Sequence, residues 1–337
     1  MRCALITGVA GETLSTDEVV FLRGARPCGL ILFARNCRAI DQIRRLVGDV
    51  KAAIGSTSLL VLIDQEGGRV QRLRPPQWRE LPPAGAYAAF YSKAPERASR
   101  AARLVARLTA ADLRTIDVNA NCAPVLDLAI PGAHGIVGDR AYGSTSEQVS
   151  HLGRAVAEGY LSGGVLPIIK HIPGHGRAMA DSHVELPVVA APWPELSRTD
   201  FAPFRALRDM PSAMTAHVVY TDVDPEAPAS TSAVVTKAVI REEIGFGGLL
   251  ISDDLSMKAL TGSIRSRAEA VIRAGSDVAL HCNGVLAEMD EAAAGVPALA
   301  GAALGRFEHC LTVLERADDF DAAEAEAMLA DVLATAA

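Results

Sequence analysis

The sequence contains no paired cysteines of the kind that build disulfide frameworks or zinc sites. Its six cysteines, at positions 3, 28, 37, 122, 282 and 310, include no Cys-x-x-Cys motif. Cys28, Cys122 and Cys282 lie within apolar runs, where cysteine behaves as a small hydrophobic residue. This pattern is typical of a reduced cytosolic protein and excludes a small fold held together by disulfides.

Features of membrane proteins and nucleic-acid-binding proteins are also missing. No apolar run approaches the ~20 residues of a transmembrane helix, and the apolar segment near the N-terminus is too short for the hydrophobic region of a signal peptide. The 33 Lys and Arg residues are outnumbered by 40 Asp and Glu residues, giving a net charge of -7, whereas a nucleic-acid surface would be basic. We therefore expect a cytoplasmic protein that binds neither membranes nor nucleic acids.

Half of the residues are apolar, and they form short runs that alternate with longer amphipathic segments. Eight of the short runs predict β-strands, at residues 3–7, 29–33, 59–64, 118–125, 165–171, 212–219, 248–253 and 277–282. Helical spacing of apolar residues predicts helices between them, among them 40–54, 95–113, 149–161, 193–207, 236–244, 265–274, 286–293, 298–317 and 322–336. Capping-box patterns at 15–18 and 144–147 mark two helix starts.

Eight strand–helix repeats predict an α/β fold, and eight strands are the number that closes a (β/α)8 TIM-type barrel. An open doubly wound sheet is the alternative, but it usually carries a Gly-x-Gly-x-x-Gly loop after its first strand, and residues 8–12 do not continue that way. No segment rich in Pro, Gly and Ser divides the chain. We predict a single catalytic barrel domain over residues 1–337, with residues 298–337 as a C-terminal helical extension.

Charged and polar residues recur at the C-terminal ends of the predicted strands. In a parallel barrel these ends meet on one face, where active sites are built. The clustering therefore predicts an enzyme with its site on that face. The residues are Asp64, Glu66, Asp127, Lys170, His171, His217, Asp253, Asp254 and His281, with Arg140 in a following loop.

Two adjacent acids follow the seventh predicted strand. Successive side chains of a strand point to opposite faces, so one acid should face the site while the other binds behind it. We assign Asp253 to the site, as a nucleophile, base or metal ligand. Asp254 or Ser256 is expected to cap the following helix.

The loop after the fifth predicted strand holds three of the eight histidines within residues 171–183. Asp181 lies two residues before His183, close enough to orient its ring and favour the protonated form, which suits proton donation to a leaving group. His171, His175, Asp181 and His183 are also competent metal ligands. A metal-dependent hydrolase is therefore the alternative, although no His-Glu-x-x-His or paired-cysteine motif supports it.

Five blocks of sequence together resemble the bacterial family 3 glycoside hydrolases, in their β-N-acetylglucosaminidase branch. They occur in the same order, at residues 63–72, 119–127, 170–176 with 181–183, 214–218 and 252–257. Ile172 stands where many relatives have phenylalanine, a small apolar exchange. The resemblance does not extend to the two terminal helices, which carry no diagnostic motif.

The resemblance implies a (β/α)8 barrel and a retaining exo-glycosidase that needs no metal or other cofactor. Asp253 is the implied nucleophile, and His183, with Asp181 as its partner, is the implied acid/base on a mobile loop. The residues implied to hold the terminal N-acetylglucosamine are Asp64, Arg72, Arg140, Lys170 and His171.

The implied substrates are small molecules, N-acetylglucosaminyl-1,6-anhydro-N-acetylmuramyl peptides from peptidoglycan recycling, bound by a monomer or weak homodimer. Aromatic residues make up only 4% of the chain and offer few platforms for stacking an extended sugar chain. This scarcity agrees with a pocket for one terminal sugar. A phosphorylase, with phosphate in place of water as acceptor, and a sugar-binding protein without activity are further alternatives.

Overall fold

A computed structural model describes residues 1–133, 135–182, 184–314 and 317–336. At the centre of the molecule is a closed barrel of eight parallel strands, so the predicted TIM-type α/β fold is confirmed and the open-sheet alternative is wrong. The strands follow one another around the barrel in chain order, and the eighth pairs with the first. They are β1 (Cys3–Thr7), β2 (Pro27–Leu32), β3 (Leu60–Ile63), β4 (Ala120–Asn121), β5 (Leu166–Ile172), β6 (Ser212–Thr215), β7 (Leu249–Asp254) and β8 (Val278–His281).

The strands are buried on both faces of the sheet, which explains why they form continuous apolar runs. Every residue of β3 is fully buried. Leu60 and Leu62 pack with Ile168 in one cluster, whereas Val61 and Ile63 pack in a second cluster shared with the helices. The two-residue period of the strand thus separates a barrel interior from a layer that faces the helices.

The cysteines within the apolar runs are buried, as predicted. Cys28, Cys122 and Cys282 all belong to the cluster in the barrel interior. Burial raises the pKa of all three thiols, so they remain neutral. All six cysteines are free.

Helices surround the barrel. The capping box predicted for the first helix is confirmed, because Glu18 N–H donates to Ser15 Oγ and Ser15 N–H donates to Glu18 at 2.8 Å. At the second predicted box, Thr145 instead of Ser144 caps the helix over residues 146–162, and its hydroxyl accepts a hydrogen bond from the Gln148 N–H without the reciprocal bond that would complete a box. The helices are α1 (Thr16–Ala25), α2 (Ile40–Ile54), α3 (Ala84–Tyr91), α4 (Pro95–Arg114), α5 (Ser146–Ser162), α6 (Trp193–Arg198), α7 (Ala202–Ala206), a π-helix (Val235–Glu243), α8 (Ile264–Arg273), α9 (Leu286–Ala294), α10 (Gly301–Val313) and α11 (Ala322–Ala336).

The helix predicted over residues 193–207 is instead two short helices, α6 and α7. Asp200, in the break between them, accepts hydrogen bonds from Arg177 Nε and Thr199 Oγ1, both at 2.7 Å. Pro203, which has no N–H, lies in the first turn of α7. The sequence patterns did not predict α3, because its eight residues are small or apolar nearly throughout and show no helical alternation.

Helix α10 lies against the barrel at two places, whereas α11 packs against α3 and α4. Phe307 of α10 packs into the interior cluster, and Cys310 Sγ donates to the Pro211 carbonyl, directly before β6. Helix α10 therefore covers the N-terminal end of the barrel. The division into one barrel domain and an extension over residues 298–337 stays a prediction. Among the described residues, no helix has the length and apolar composition needed to cross a membrane.

Candidate active site

A cavity of about 280 Å³ opens at the C-terminal ends of the strands, where (β/α)8 enzymes place their active sites. Its walls come from the ends of β2, β3, β5, β6, β7 and β8 and from the loops that follow them. Its volume lies at the small end of the range for ligand pockets and suits one small ligand. Six of the predicted site residues line it: Asp64, Arg72, Arg140, Lys170, His171 and Asp253.

A network of charges centred on the buried Lys170 forms one wall of the cavity. Lys170 Nζ lies 2.8 Å from Asp64 Oδ1 and 2.6 Å from Glu66 Oε1, and it is only 2% exposed. The second oxygen of Asp64 accepts a hydrogen bond from Arg72 at 3.0 Å. Glu66 in turn accepts two hydrogen bonds from Arg140, both at 2.8 Å. Two carboxylates and three cations therefore share one site.

The charges in this network support one another's ionisation. Burial by itself would raise the pKa of Asp64, but the positive charges of Lys170 and Arg72 outweigh it and hold that pKa well below its usual range. The pKa of Glu66 is lowered in the same way, against burial, by Lys170 and Arg140. Burial would lower the pKa of Lys170, but the two carboxylates raise it. The network therefore presents fixed charges to a ligand at neutral pH.

Glu66 was expected on the face of the barrel that carries the site, but its role there became evident only in the structure. The signal was present, because Glu66 lies two residues after Asp64, and alternate residues of an extended segment share a face. It lines the cavity, and its paired hydrogen bonds fix the guanidinium plane of Arg140.

Asp127 is the second residue whose role became evident only in the structure. Its side chain is buried behind the cavity, and Oδ2 lies 2.7 Å from His171 Nδ1. Oδ1 accepts hydrogen bonds from the backbone N–H groups of His171 and His175, at 3.2 and 2.7 Å. Burial opposes ionisation, but His171 and these hydrogen bonds hold the pKa of Asp127 at about 2. The contact orients the His171 ring so that Nε2 is the ring nitrogen left for a ligand.

Asp253 and Asp254 both contribute to the cavity lining, but in different bonding environments. The Asp254 N–H donates to Asp253 Oδ1 at 2.8 Å. Asp254 Oδ1 accepts hydrogen bonds from the N–H groups of Ser256 and Cys282, both at 3.0 Å. Backbone donors therefore hold the second acid, but it borders the cavity as well, contrary to the expectation that only one of the two acids would face the site. Neither Asp254 nor Ser256 caps the next helix, because Ser263 does.

Two histidines at strand ends lie outside the cavity lining. His217 is fully buried, with Nδ1 2.7 Å from Ser230 Oγ and Nε2 3.0 Å from the Asp254 carbonyl. His281 is also fully buried, and its Nε2 lies 3.3 Å from Glu288. Both stabilise the loops that support the site.

The histidine-rich loop is described except for His183, so the prediction for that residue lies outside the described residues. Asp181 accepts backbone hydrogen bonds from residues 184 and 185 at its carbonyl, and Ser182 lines the cavity. Within the described part of the chain, no three His, Cys, Asp or Glu residues are arranged to hold a metal ion. Since His183 is one of its four candidate ligands, the metal alternative stays a prediction.

His175 gives a testable dependence of stability on pH. The ring is 4% exposed, and burial lowers its pKa from 6.5 to about 4. The unfolded chain therefore takes up a proton at this position as the pH falls below about 6.5, whereas the folded protein resists it until about pH 4. Between pH 6.5 and pH 4, the free energy of unfolding of the wild type should therefore fall by on the order of 3 kcal/mol more than that of His175→Gln.

The measurement is the free energy of urea unfolding at intervals between pH 4 and pH 7. His309→Gln, at an exposed position, is the matched control and should keep the wild-type slope. The ionisation of Asp127 also stabilises the folded protein, but this stabilisation decreases mainly below its unfolded pKa of about 3.8, which is below the pH range measured. Parallel slopes for the wild type and His175→Gln would contradict the assignment.

Comparison with known sequences agrees with this geometry. Residues 12–303 match the glycosyl hydrolase family 3 N-terminal domain. A beta-hexosaminidase of Alkalilimnicola ehrlichii is 40% identical over 283 residues, covering 83% of this chain and 80% of the relative.

Solved structures show the same similarity. NagZ from Neisseria gonorrhoeae in complex with N-trifluoroacetyl-D-glucosamine superimposes with a TM-score of 0.87 at 32% identity, covering 100% of this chain and 98% of that one. The same protein in complex with zinc ion gives a TM-score of 0.85 at 32% identity, with the same coverage. The similarity therefore covers the barrel and the C-terminal helices.

Proposed function

Because the chain belongs to glycosyl hydrolase family 3 and is therefore a glycoside hydrolase, we propose that it removes terminal β-linked N-acetylglucosamine from small glycosides. The observation that carries the proposal is a small cavity whose lining includes Asp253 together with the charge network of Asp64, Lys170 and Arg72. A neutral sugar offers vicinal hydroxyl groups, which suit a wall of alternating carboxylate acceptors and cationic donors.

In the proposed mechanism Asp253 is the nucleophile. Its carboxylate attacks the anomeric carbon, and the bond to the leaving oxygen breaks as His183 donates a proton to that oxygen. A water molecule then gives its proton to His183 and displaces Asp253 from the same carbon. Two displacements return the original configuration, which is the retaining outcome typical of the family. Asp181 orients His183 as its partner.

The roles proposed for the remaining residues follow from their contacts. Asp64 and Arg72 would bind hydroxyl groups at one side of the sugar, and Lys170 holds Asp64 in place. Arg140, fixed by Glu66, would bind from the other side of the network. His171 would present Nε2 to the ligand because Asp127 holds Nδ1.

We propose muropeptides of peptidoglycan recycling as the substrate class, specifically N-acetylglucosaminyl-1,6-anhydro-N-acetylmuramyl peptides acted on in the cytoplasm. The size of the cavity supports recognition of one terminal sugar, with the aglycone outside it. The test is release of N-acetylglucosamine from this disaccharide peptide, followed by proton NMR of the first product formed.

The β-anomer as first product is expected from a retaining hydrolase, and the α-anomer would contradict the mechanism. The same reaction in phosphate buffer separates hydrolysis from phosphorolysis, because only the latter yields N-acetylglucosamine 1-phosphate. Cleavage of aryl glycosides without cleavage of the muropeptide would support the glycosidase activity but contradict the proposal that muropeptides are the substrates.

The assignment of His183 as general acid predicts a loss that depends on the leaving group. His183→Ala should lower kcat/KM about 10²- to 10⁴-fold for substrates with alcohol leaving groups, which need protonation. The loss should be far smaller for nitrophenyl leaving groups, which depart without a proton. Steady-state rates on both substrate classes give the comparison. His309→Ala is the control, and equal losses on both classes would reject His183 as the acid.

A further inference from the structure

Phe33 is the one phenylalanine, tyrosine or tryptophan among the described residues that line the cavity. It directly follows β2 in an extended conformation and lies two residues after Ile31, so the two side chains share one face of the strand. Both line the cavity, and Phe33 packs against the cluster in the barrel interior to which Ile31 belongs. The ring therefore lies at the boundary between the apolar interior of the barrel and the charged wall of the cavity.

Two arginines lie over this ring. The guanidinium carbon of Arg72 is 5.1 Å from the ring centroid, and that of Arg35 is 5.0 Å from it. Both distances are within the ~6 Å over which a cation is attracted to the electron-rich face of an aromatic ring. Phe33 therefore takes part in the electrostatics of the charged wall although it carries no charge itself.

Hydrogen bonds from several loops hold the ring and one of the arginines in place. The Phe33 N–H donates to Asn36 Oδ1 at 2.9 Å, and the fully buried Asn36 donates to the Val9 carbonyl at 3.1 Å. Arg35 donates from Nε to the same Val9 carbonyl at 3.0 Å and from Nη2 to the Cys282 carbonyl. The loops after β1, β2 and β8 thus make Phe33 a firm support for a second guanidinium.

Arg72 is held by fewer hydrogen bonds than Arg140. The guanidinium of Arg140 donates twice to Glu66, which fixes its plane. The guanidinium of Arg72 donates once, to Asp64 at 3.0 Å, and its Nε is buried without a hydrogen-bond partner among the described groups. Because a single hydrogen bond allows the guanidinium plane to rotate, the contact with Phe33 is the second constraint on its orientation.

We propose that Phe33 is a positioning residue for sugar binding, whose ring holds the Arg72 guanidinium in the plane from which it hydrogen-bonds the ligand. The inference rests on the proposed function, in which Arg72 binds hydroxyl groups of the sugar. The attraction is electrostatic, so it should weaken when the ring loses electron density even if its shape is kept. Phe33 acts on the bound sugar and not on the reacting atoms, so its loss should change KM more than kcat.

The first test replaces Phe33 by 3,4,5-trifluorophenylalanine, which keeps the shape of the ring but withdraws electron density from its face. We expect the Ki of N-acetylglucosamine and the KM for a nitrophenyl β-N-acetylglucosaminide to rise about 2- to 10-fold, the scale of one cation–π contact, with kcat within about 2-fold of the wild type. Phe33→Tyr, which keeps an electron-rich ring, should bind nearly as the wild type does.

Phe90 offers a matched control. Its ring on α3 lies 5.7 Å from the guanidinium carbon of Arg97, and neither residue lines the cavity. The same fluorinated residue at this position should leave Ki and KM unchanged. Wild-type Ki and KM in the fluorinated Phe33 variant would overturn the positioning role.

A double-mutant cycle identifies the partner. If Phe33 acts through Arg72, then Phe33→Leu should raise the Ki of N-acetylglucosamine in the wild type but add little in an Arg72→Ala background. An equal rise in both backgrounds would mean that the ring contacts the sugar directly or acts through Arg35, and it would also overturn the proposal. The proposed function fails separately, if the wild type releases no N-acetylglucosamine or if Arg72→Ala leaves the Ki unchanged.

Discussion

Replacing Asp253 by alanine is expected to lower kcat for aryl β-N-acetylglucosaminides by about 10⁴-fold or more, the scale of loss when a covalent nucleophile is removed. Asp254 should not substitute for it, because the N–H groups of Ser256 and Cys282 hold its carboxylate. The measurement is the initial rate of aryl release by both proteins. An activated leaving group is used so that the result does not depend on the acid.

Asp290→Ala, an exposed acid on α9, is the control for the loss of a negative charge and should keep full activity. A parallel reaction with a chelator separates the two classes of hydrolase. Chelator-insensitive activity that disappears in Asp253→Ala supports covalent catalysis. Wild-type activity that disappears with the chelator would favour a metal site on the histidine loop. Substantial activity in Asp253→Ala would mean that another residue is the nucleophile.

Replacing Lys170 by methionine is expected to destabilise the protein by about 3–5 kcal/mol, the usual cost of removing one partner from a buried ion pair. The substitution keeps most of the side-chain volume but leaves Asp64 and Glu66 as neighbouring, largely buried carboxylates without their shared cation. Substrate binding should weaken as well, because Asp64 is then held only by Arg72. Urea unfolding and the KM for an aryl glycoside measure the two effects.

The pH dependence of this loss identifies its cause. The wild-type pKa of Asp64 is lowered, so the stability that its ionisation contributes is present above the unfolded pKa of about 3.8 and is lost as the pH falls further. Without Lys170, the two carboxylates are protonated more readily, which relieves their repulsion in the variant. The difference in the free energy of unfolding between the wild type and Lys170→Met should therefore become smaller as the pH falls. Lys93→Met, the same change at an exposed position, should cost almost nothing. If this difference does not change with pH, the loss of stability would come from altered packing and not from the loss of the positive charge.

Much of the fold could be predicted because its signals are local. All eight barrel strands coincide with apolar runs, since a strand buried on both faces needs them. The errors occur where local patterns are weak or are overridden by distant contacts. Helix α3 has no polar face to reveal its period, and the predicted helix over residues 193–207 is interrupted where Asp200 binds Arg177.

The sequence predicted six of the residues that line the cavity, but not the contacts between them. Charged residues after apolar strands indicated Asp64, Lys170 and Asp253, because the ends of parallel strands converge whatever the details of the loops. Glu66 and Asp127 were expected on the site face but without partners, since a carboxylate has no local property that reveals which cation it will meet.

The amino-acid sequence by itself determined the barrel, the face that carries the site and the types of chemical group found there, because each depends on periodicity and on chain order. Only the tertiary structure decided the pairings. Lys170 meets Asp64 across 106 positions, Arg140 meets Glu66 across 74, and His171 meets Asp127 across 44. Such pairs form only after the barrel closes, since the strength of a charge contact depends on the distance and burial that folding imposes.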